Sequence, residues 1–387
     1  MLAQWSKTNG PFGGAVHCFT VYKSNVYCGT DSVIFCSNDN GVSWTAVDMG
    51  SNVEGFWGLA SDSSKILAGS IGYGIFLSTD DGTSWNPKNT GLTNTSIRTL
   101  MIKDNIFLAG TDKGGIFRST DDGTTWTACN SGLVDSIVYA FASMDTNIFA
   151  GLDDGVYRST DKGLNWTIVN GGLTIRNVYA LAVINKTTFA GTYGGKIFRS
   201  TNNGSNWIEV NLGLMPITSV VDLAVCNEYL FAATNLEGIF RSTDSGLNWT
   251  AVNEGLTSLR TISAVANDTF LFTGTFDNDA WRRQISEMIT SVPSSSVCKP
   301  HEFILCQNYP NPFNPTTEIT FRVGTDGYTS LRVYDILGRE VAILTNEKKP
   351  SGSYQVQWNA ANMPSGVYLY QLETEKYTET KKLILLK

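Results

Sequence analysis

Between about residues 5 and 283 the apolar residues fall in short runs, set apart by clusters of Gly, Asn, Asp, Ser and Thr. One stretch shows the unit: Val178-Tyr179-Ala180-Leu181-Ala182-Val183, then Thr188-Phe189-Ala190-Gly191-Thr192, then Lys196-Ile197-Phe198-Arg199-Ser200. Runs this short, rich in β-branched and aromatic residues and bounded by turn formers, predict strands. A motif Ser-x-Asp-x-Gly-x-x-Trp closes the third run, and a further strand is expected to start at its Trp. Its copies are Ser37 to Trp44, Ser78 to Trp85, Ser119 to Trp126, Ser159 to Trp166, Ser200 to Trp207 and Ser242 to Trp249, and Asn202 replaces Asp in the fifth.

The motif tryptophans stand 41, 41, 40, 41 and 42 residues apart, and Trp5 precedes Trp44 by 39. Four strands per unit is the pattern of a propeller blade. The last unit carries three strands from about Thr261 to Arg283 and no motif Trp after them. Trp5-Ser6-Lys7-Thr8-Asn9 reads like Trp249-Thr250-Ala251-Val252-Asn253. The expectation is an all-β fold: a seven-bladed β-propeller over 1–290, whose N-terminal strand completes the last blade and leaves no open edge.

These residues resemble the BNR or Asp-box repeats of sialidases, sortilin-type receptors, xyloglucan-hydrolysing enzymes and photosystem-assembly factors. The resemblance spans roughly residues 5–283, and its functions are too mixed to assign one from the fold. The Asp of the motif can accept backbone N–H bonds across its own turn, its Gly permits positive φ, and its Trp can cover the hairpin. Repetition on blade after blade therefore makes Asp39, Asp80, Asp121, Asp161, Asn202 and Asp244 structural rather than catalytic or calcium-binding. Asn202 fits, because an amide keeps the turn bonds but is a poor proton donor. The arginines before the motif, Arg118, Arg158, Arg199 and Arg241, read as solvated strand-end charges and not as a carboxylate-gripping triad.

Positions that vary while the scaffold repeats are the better ligand candidates. Two residues before the consensus Leu or Phe of the innermost strand, the units carry His17, Trp57, Arg98, Tyr139, Tyr179, Val221 and Ser263. Connections between second and third strands add Tyr73, Asp112, Asp153, Asp154, Tyr193, Glu237, Asp277 and Asp279. Trp57, Tyr73, Arg98, Tyr139, Tyr179 and Tyr193 are the candidates to stack sugar rings or hold a peptide; packing between blades is the competing reading. A glycoside hydrolase would need paired carboxylates roughly 5–10 Å apart, and Asp153 or Asp154 with Asp277 are the weak candidates. The Arg-Ile-Pro start of sialidases is absent.

Composition trims the list of partners. The chain holds 28 basic and 35 acidic residues, a formal charge of −7, which offers no basic footprint for nucleic acid. No apolar run approaches the roughly 20 residues of a membrane span. Seven Cys without CxxC spacing, and two His far apart, give no metal site, and no cofactor is implied. Cys18, Cys28 and Cys36 are expected as buried free thiols; Cys298 and Cys306 stay open between thiols and a pair.

After Arg283 the period stops, and 291–306 reads as a turn-rich linker. From Gln307 the chain carries Tyr309-Pro310-Asn311-Pro312-Phe313-Asn314-Pro315-Thr316-Thr317, then alternating strands at Ser330–Asp335, Ser353–Trp358 and Gly366–Gln371. A small antiparallel β-sandwich over 307–387 is expected. The proline-rich opening, Val333-Tyr334-Asp335-Ile336-Leu337-Gly338-Arg339, Met363-Pro364-Ser365-Gly366-Val367-Tyr368 and the final Lys381–Lys387 resemble the type A sorting domain of type IX secretion. That resemblance implies passage through the Bacteroidetes-type outer-membrane translocon, clipping by a sortase near the linker, and release or attachment at the cell surface. The pathway also implies a Sec signal peptide; Met1-Leu2-Ala3-Gln4 lacks a basic start or apolar core, so a start trimmed of its signal is expected. The sequence reading is thus an exported, non-enzymatic propeller binding glycan or protein, with an extracellular glycoside hydrolase as the alternative.

Overall fold

A computed structural model describes residues 4–50, 53–214, 217–290, 304–305, 308, 313–323, 327–350, 352–374 and 377–386. The chain divides into two compact units, Met1–Ser291 and Val292–Lys387. Cys298 and Cys306 lie outside the described residues, as does most of the 291–306 segment.

The first unit consists of four-stranded, blade-like antiparallel sheets at the expected period. The first pairs Val16–Tyr22, Asn25–Thr30, Ile34–Ser37 and Thr45–Ala46 in chain order. Five more follow with innermost strands Phe56–Ser61, Ile97–Lys103, Val138–Met144, Val178–Ile184 and Val220–Cys226. In the seventh, Thr261–Ala266, Phe270–Thr275 and Ala280–Gln284 are joined at the outer edge by Ser6–Lys7 from the start of the chain. Each innermost strand packs on the next, and Thr261–Ala266 packs on Val16–Tyr22.

The N-terminal strand repeats what each fourth strand does elsewhere. Ser6 pairs with Arg282 and Lys7 with Trp281, as Thr127 pairs with Arg118 and Ala128 with Phe117. Trp5 Nε1 donates to the Val252 carbonyl of the preceding sheet at 2.6 Å, as Trp126 donates to Lys88 at 2.8 Å and Trp207 to Val169 at 2.7 Å. These indoles are buried, so each fills the seam between two sheets and satisfies its one polar atom across it.

The repeated turn is built as its residues require. In the third copy, Ser119 Oγ donates to Asp121 Oδ1 at 2.7 Å, and the Gly123 N–H donates to Ser119 Oγ at 2.9 Å. The Thr125 N–H and hydroxyl donate to the two carboxylate oxygens at 2.9 and 2.6 Å. Asp122 and Gly123 have φ of 56° and 75°, two successive left-handed residues as in a type I′ turn, where the second position favours Gly. Asn202 keeps the Ser200 and Asn206 bonds at 2.9 Å each.

The arginines depart from the solvated reading. Arg118 Nε donates to Lys162 O at 2.8 Å, Arg158 Nη1 to Asn203 O at 2.9 Å and Arg282 Nη1 to Asn40 O at 2.7 Å. Each acceptor is the left-handed residue of the next sheet's turn, whose carbonyl is turned outward toward the seam. Burial lowers the pKa of Arg199 and Arg241, so these side chains are partly withdrawn from water rather than free at the surface.

The second unit has two antiparallel sheets. Ile304–Leu305, Thr316–Val323 and Gly352–Asn359 form one; Glu340–Lys349, Gly327–Asp335, Gly366–Thr374 and Thr378–Leu385 form the other. Ile319, Phe321 and Trp358 from the first meet Leu331, Val333, Tyr370 and Leu383 from the second in one core.

Candidate functional site

The innermost strands share an irregularity that sequence alignment does not display. Their pairing with the second strand shifts between Val16 and Cys18, Phe56 and Gly58, Ile97 and Thr99, Val138 and Ala140, Val178 and Ala180, Val220 and Asp222, and Thr261 and Ser263. A β-bulge leaves one residue unpaired and re-aims its side chain. The bulged residues are His17, Trp57, Arg98, Tyr139, Tyr179, Val221 and Ile262, and all of them line one cavity of about 510 Å3.

Six of these match the sequence alignment and one corrects it. Ile262, not Ser263, holds the position in the seventh sheet; Ser263 is buried and donates to the Val16 carbonyl of the first sheet at 2.6 Å. In this last strand Ala264 takes the place that Leu or Phe fills elsewhere, so counting back from Val265 lands one residue late.

Five consecutive sheets contribute a continuous stack. The His17 and Trp57 rings lie 4.7 Å apart at 24°. The Arg98 guanidinium sits 5.2 Å from the Trp57 ring and 5.2 Å from the Tyr139 ring. Tyr139 and Tyr179 are 4.5 Å apart, and Tyr193 continues the series 5.9 Å from Tyr179. Only the His17–Trp57 pair is stacked; the tyrosine pairs are tilted by 51° and 57°. Val221 and Ile262 make the remaining arc apolar.

Several bulged residues meet the residue 14 positions later, just past the second strand. His17 Nε2 meets Asp31 Oδ1 at 2.6 Å, and Arg98 Nε donates to Asp112 Oδ1 at 3.2 Å. Burial, then the charge of Asp153, raises the Tyr139 pKa; burial also raises that of Tyr179. Both phenols therefore remain protonated hydrogen-bond donors.

The cavity wall also contains Asp222, which sequence reading passed over. It follows the sixth bulge, where the other sheets carry Cys18, Gly58, Thr99, Ala140, Ala180 and Ser263. Its carboxylate accepts the Leu223 N–H at 2.8 Å and the Ala264 N–H of the next sheet at 2.8 Å. Burial pushes its pKa up to about 6 against these bonds. A lone acidic residue in a column of small ones was the available signal.

The remaining candidates lie elsewhere. Tyr73 and Tyr193 are 44% and 57% exposed and stand outside the cavity lining. Asp153 accepts from Asn177 Nδ2 at 2.9 Å, Asp154 from the Tyr157 hydroxyl at 2.5 Å, and Asp277 from Ser258. None of the three lines the cavity, and the sheets that carry them are the fourth and the seventh. Asp39, Asp80, Asp121, Asp161 and Asp244 are all held by their own turns. Cys18, Cys28 and Cys36 are free thiols, with Cys28 fully buried. Among the described residues no helix is long and apolar enough to cross a membrane.

Comparison with known proteins places both units. Residues 307–386 match the family described as the secretion system C-terminal sorting domain. Residues 89–222 match the DUF6242 beta propeller domain. No curated protein matches the chain. Among solved structures, PorZ, an essential bacterial surface component of the type-IX secretion system of Porphyromonas gingivalis, is 17% identical with a TM-score of 0.56, covering 98% of this chain and 60% of PorZ. The extracellular domain of the putative hybrid two component system BT4673 from B. thetaiotaomicron is 15% identical with a TM-score of 0.62, covering 84% of this chain and 45% of that one. YCF48 from Cyanidioschyzon merolae is 16% identical with a TM-score of 0.58, covering 73% of this chain and 100% of that one. At these identities the likeness is one of fold.

Proposed function

We propose that this chain is a surface or released recognition protein: a seven-bladed Asp-box propeller, closed by the strand after Trp5, that binds its ligand in the hub cavity. The C-terminal sorting domain serves as its address for type IX secretion, with 291–306 as the linker in which a sortase would cut. The observation that carries the reading is the cavity of about 510 Å3 lined by one re-aimed side chain from every sheet, a size suited to a small ligand or the end of a larger one.

Recognition without turnover fits the chemistry better than hydrolysis. Glycosidic cleavage needs two carboxyl groups facing one substrate, whereas Asp153, Asp154 and Asp277 each serve a local hydrogen bond. The one carboxyl in the cavity wall, Asp222, has no second acid beside it in that lining. A structure of YCF48 bound to D1 peptide, 16% identical with a TM-score of 0.57, supports a peptide as one kind of ligand for a propeller of this kind.

The test is a screen of the full chain against extracellular polysaccharides, chromogenic glycosides and peptides, reading binding and turnover together. Binding without turnover is expected. Turnover lost on Asp153→Ala or Asp277→Ala would replace this reading with a hydrolase, and silence across all three classes would overturn it.

A further inference from the structure

Arg98 is the only Arg or Lys among the residues that line the cavity. Its planar group is held between Trp57 and Tyr139 at 5.2 Å from each ring. Its Nε is taken by Asp112 at 3.2 Å, which fixes the rotation of the guanidinium about its long axis. Among the described residues no hydrogen-bond acceptor meets Nη1 or Nη2. The pair of donors that makes a fork for a carboxylate is therefore pre-oriented and unused.

Trp57 and Tyr139 flank the guanidinium on its two sides and hold it in place, and the Tyr139 hydroxyl is engaged by Asp153. The nearby acids are occupied: Asp31 by His17 and the Ala15 N–H, Asp112 by Arg98, Asp153 by Asn177. Asp222 stands three sheets away from Arg98, its charge spread over two backbone N–H bonds. Val221 beside Asp222 on the sixth sheet and Ile262 on the seventh form an apolar wall.

We propose that the cavity takes a carboxylate carrying an apolar flank, the carboxylate on the Arg98 fork and the flank against Val221 and Ile262. This rests on the hub cavity being the ligand site. A bare sugar acid satisfies the fork but leaves the apolar wall wet. A neutral apolar group satisfies the wall but leaves the guanidinium to water. Only the combination uses both.

The experiment is calorimetric titration of the full chain with N-acetyl-leucine, N-acetyl-leucinamide and glucuronate, with the Trp57 indole N–H signal followed by NMR as the reporter of place. N-acetyl-leucine is expected to bind and move the Trp57 signal, with the amide and glucuronate each weaker by about tenfold or more. Arg98→Gln should erase the preference for acid over amide. Should that variant fold poorly, the ligand series on the native protein still decides. An amide that binds as well as the acid, while moving Trp57, overturns the carboxylate assignment and leaves the cavity as the site. Glucuronate binding as tightly as N-acetyl-leucine removes the apolar flank. No movement of Trp57 with any of the three overturns the inference, and the wider ligand screen then judges the cavity itself.

Discussion

At the scale of single residues, two kinds of carboxyl carry opposite signatures. Asp80 and Asp121 have pKa values lowered from 3.8 to about 2, chiefly by side-chain hydrogen bonds from Ser84 and Thr125. In Asp39 and Asp161 partial burial pushes the other way but is outweighed by the bonds from Ser43 and Asn165, and the values again fall to about 2. A lowered folded pKa means stabilisation that is complete above the unfolded value and lost as pH falls from about 4 through about 2. Asp121→Asn should therefore lose part of that stabilisation at pH 7 while keeping the bonds that Asn202 keeps at Oδ1, and Asp121→Ala should lose more; thermal melts of both at pH 7 and pH 3 check this. Equal melting of the two variants at pH 7 would contradict the turn as described.

Asp222 runs the other way. Its folded carboxyl keeps its proton up to about pH 6, whereas the unfolded one loses it near 3.8. Folding stability should fall as pH rises through that window and stay lower above it. Asp222→Asn should flatten that part of the profile and gain about 1–2 kcal/mol at pH 7.5, after the loss of one backbone acceptor. Urea midpoints at pH 4.5 and 7.5 give the answer, and a variant less stable than the native chain at both would contradict it.

At the scale of elements, the period and the displaced strand were legible because Trp5 stands one repeat length before Trp44 and the last unit lacks its own Trp. The bulges were not, since an extra residue in a strand leaves no trace in composition. They surfaced only as variable positions, and the alignment slipped where Ala264 replaced the larger consensus residue. The arginine ties were hidden for another reason: their partners are backbone carbonyls, which have no letter in the sequence. The same holds for a further recurrent contact. The Asn four residues after five of the motif Trp residues, such as Asn130 and Asn170, accepts the N–H of Ile116 or Val156 at 2.7 and 2.8 Å, pinning the start of the third strand.

The closing strand can be tested by its anchor. Trp5 is buried and bonded to Val252, so Trp5→Ala should cost about 3–5 kcal/mol, measured by urea unfolding. Removing residues 1–8 should in addition expose the edge of Ala280–Gln284 and promote self-association, read by light scattering. A loss under about 1 kcal/mol for Trp5→Ala would mean that the strand adds little to the seventh sheet.

At the scale of the whole molecule, the proposed function assigns delivery and recognition to different units, so the two should separate cleanly. Deleting 307–387 is predicted to leave the first unit in the periplasm with its binding intact; normal surface delivery of that truncation would contradict the address role of the tail. The tail was legible because its motifs are contiguous and ordered, from Tyr309-Pro310-Asn311-Pro312 to Lys381–Lys387. The cavity was not, because its lining comes from strands far apart in the chain and belongs to no one segment.

The central claim, that the hub cavity is where this protein recognises its ligand, is tested most directly by the affinity of the strongest ligand from the screen for the native chain and for the double variant Trp57→Ala, Tyr139→Ala. Both rings line the cavity and touch the neighbouring sheets only through the stack of His17, Arg98 and Tyr179, outside the buried clusters that fill the seams. The account predicts binding weaker by about tenfold or more, with an unfolding midpoint close to that of the native chain. Unchanged affinity in a well-folded double variant would place recognition elsewhere on the molecule and contradict the account.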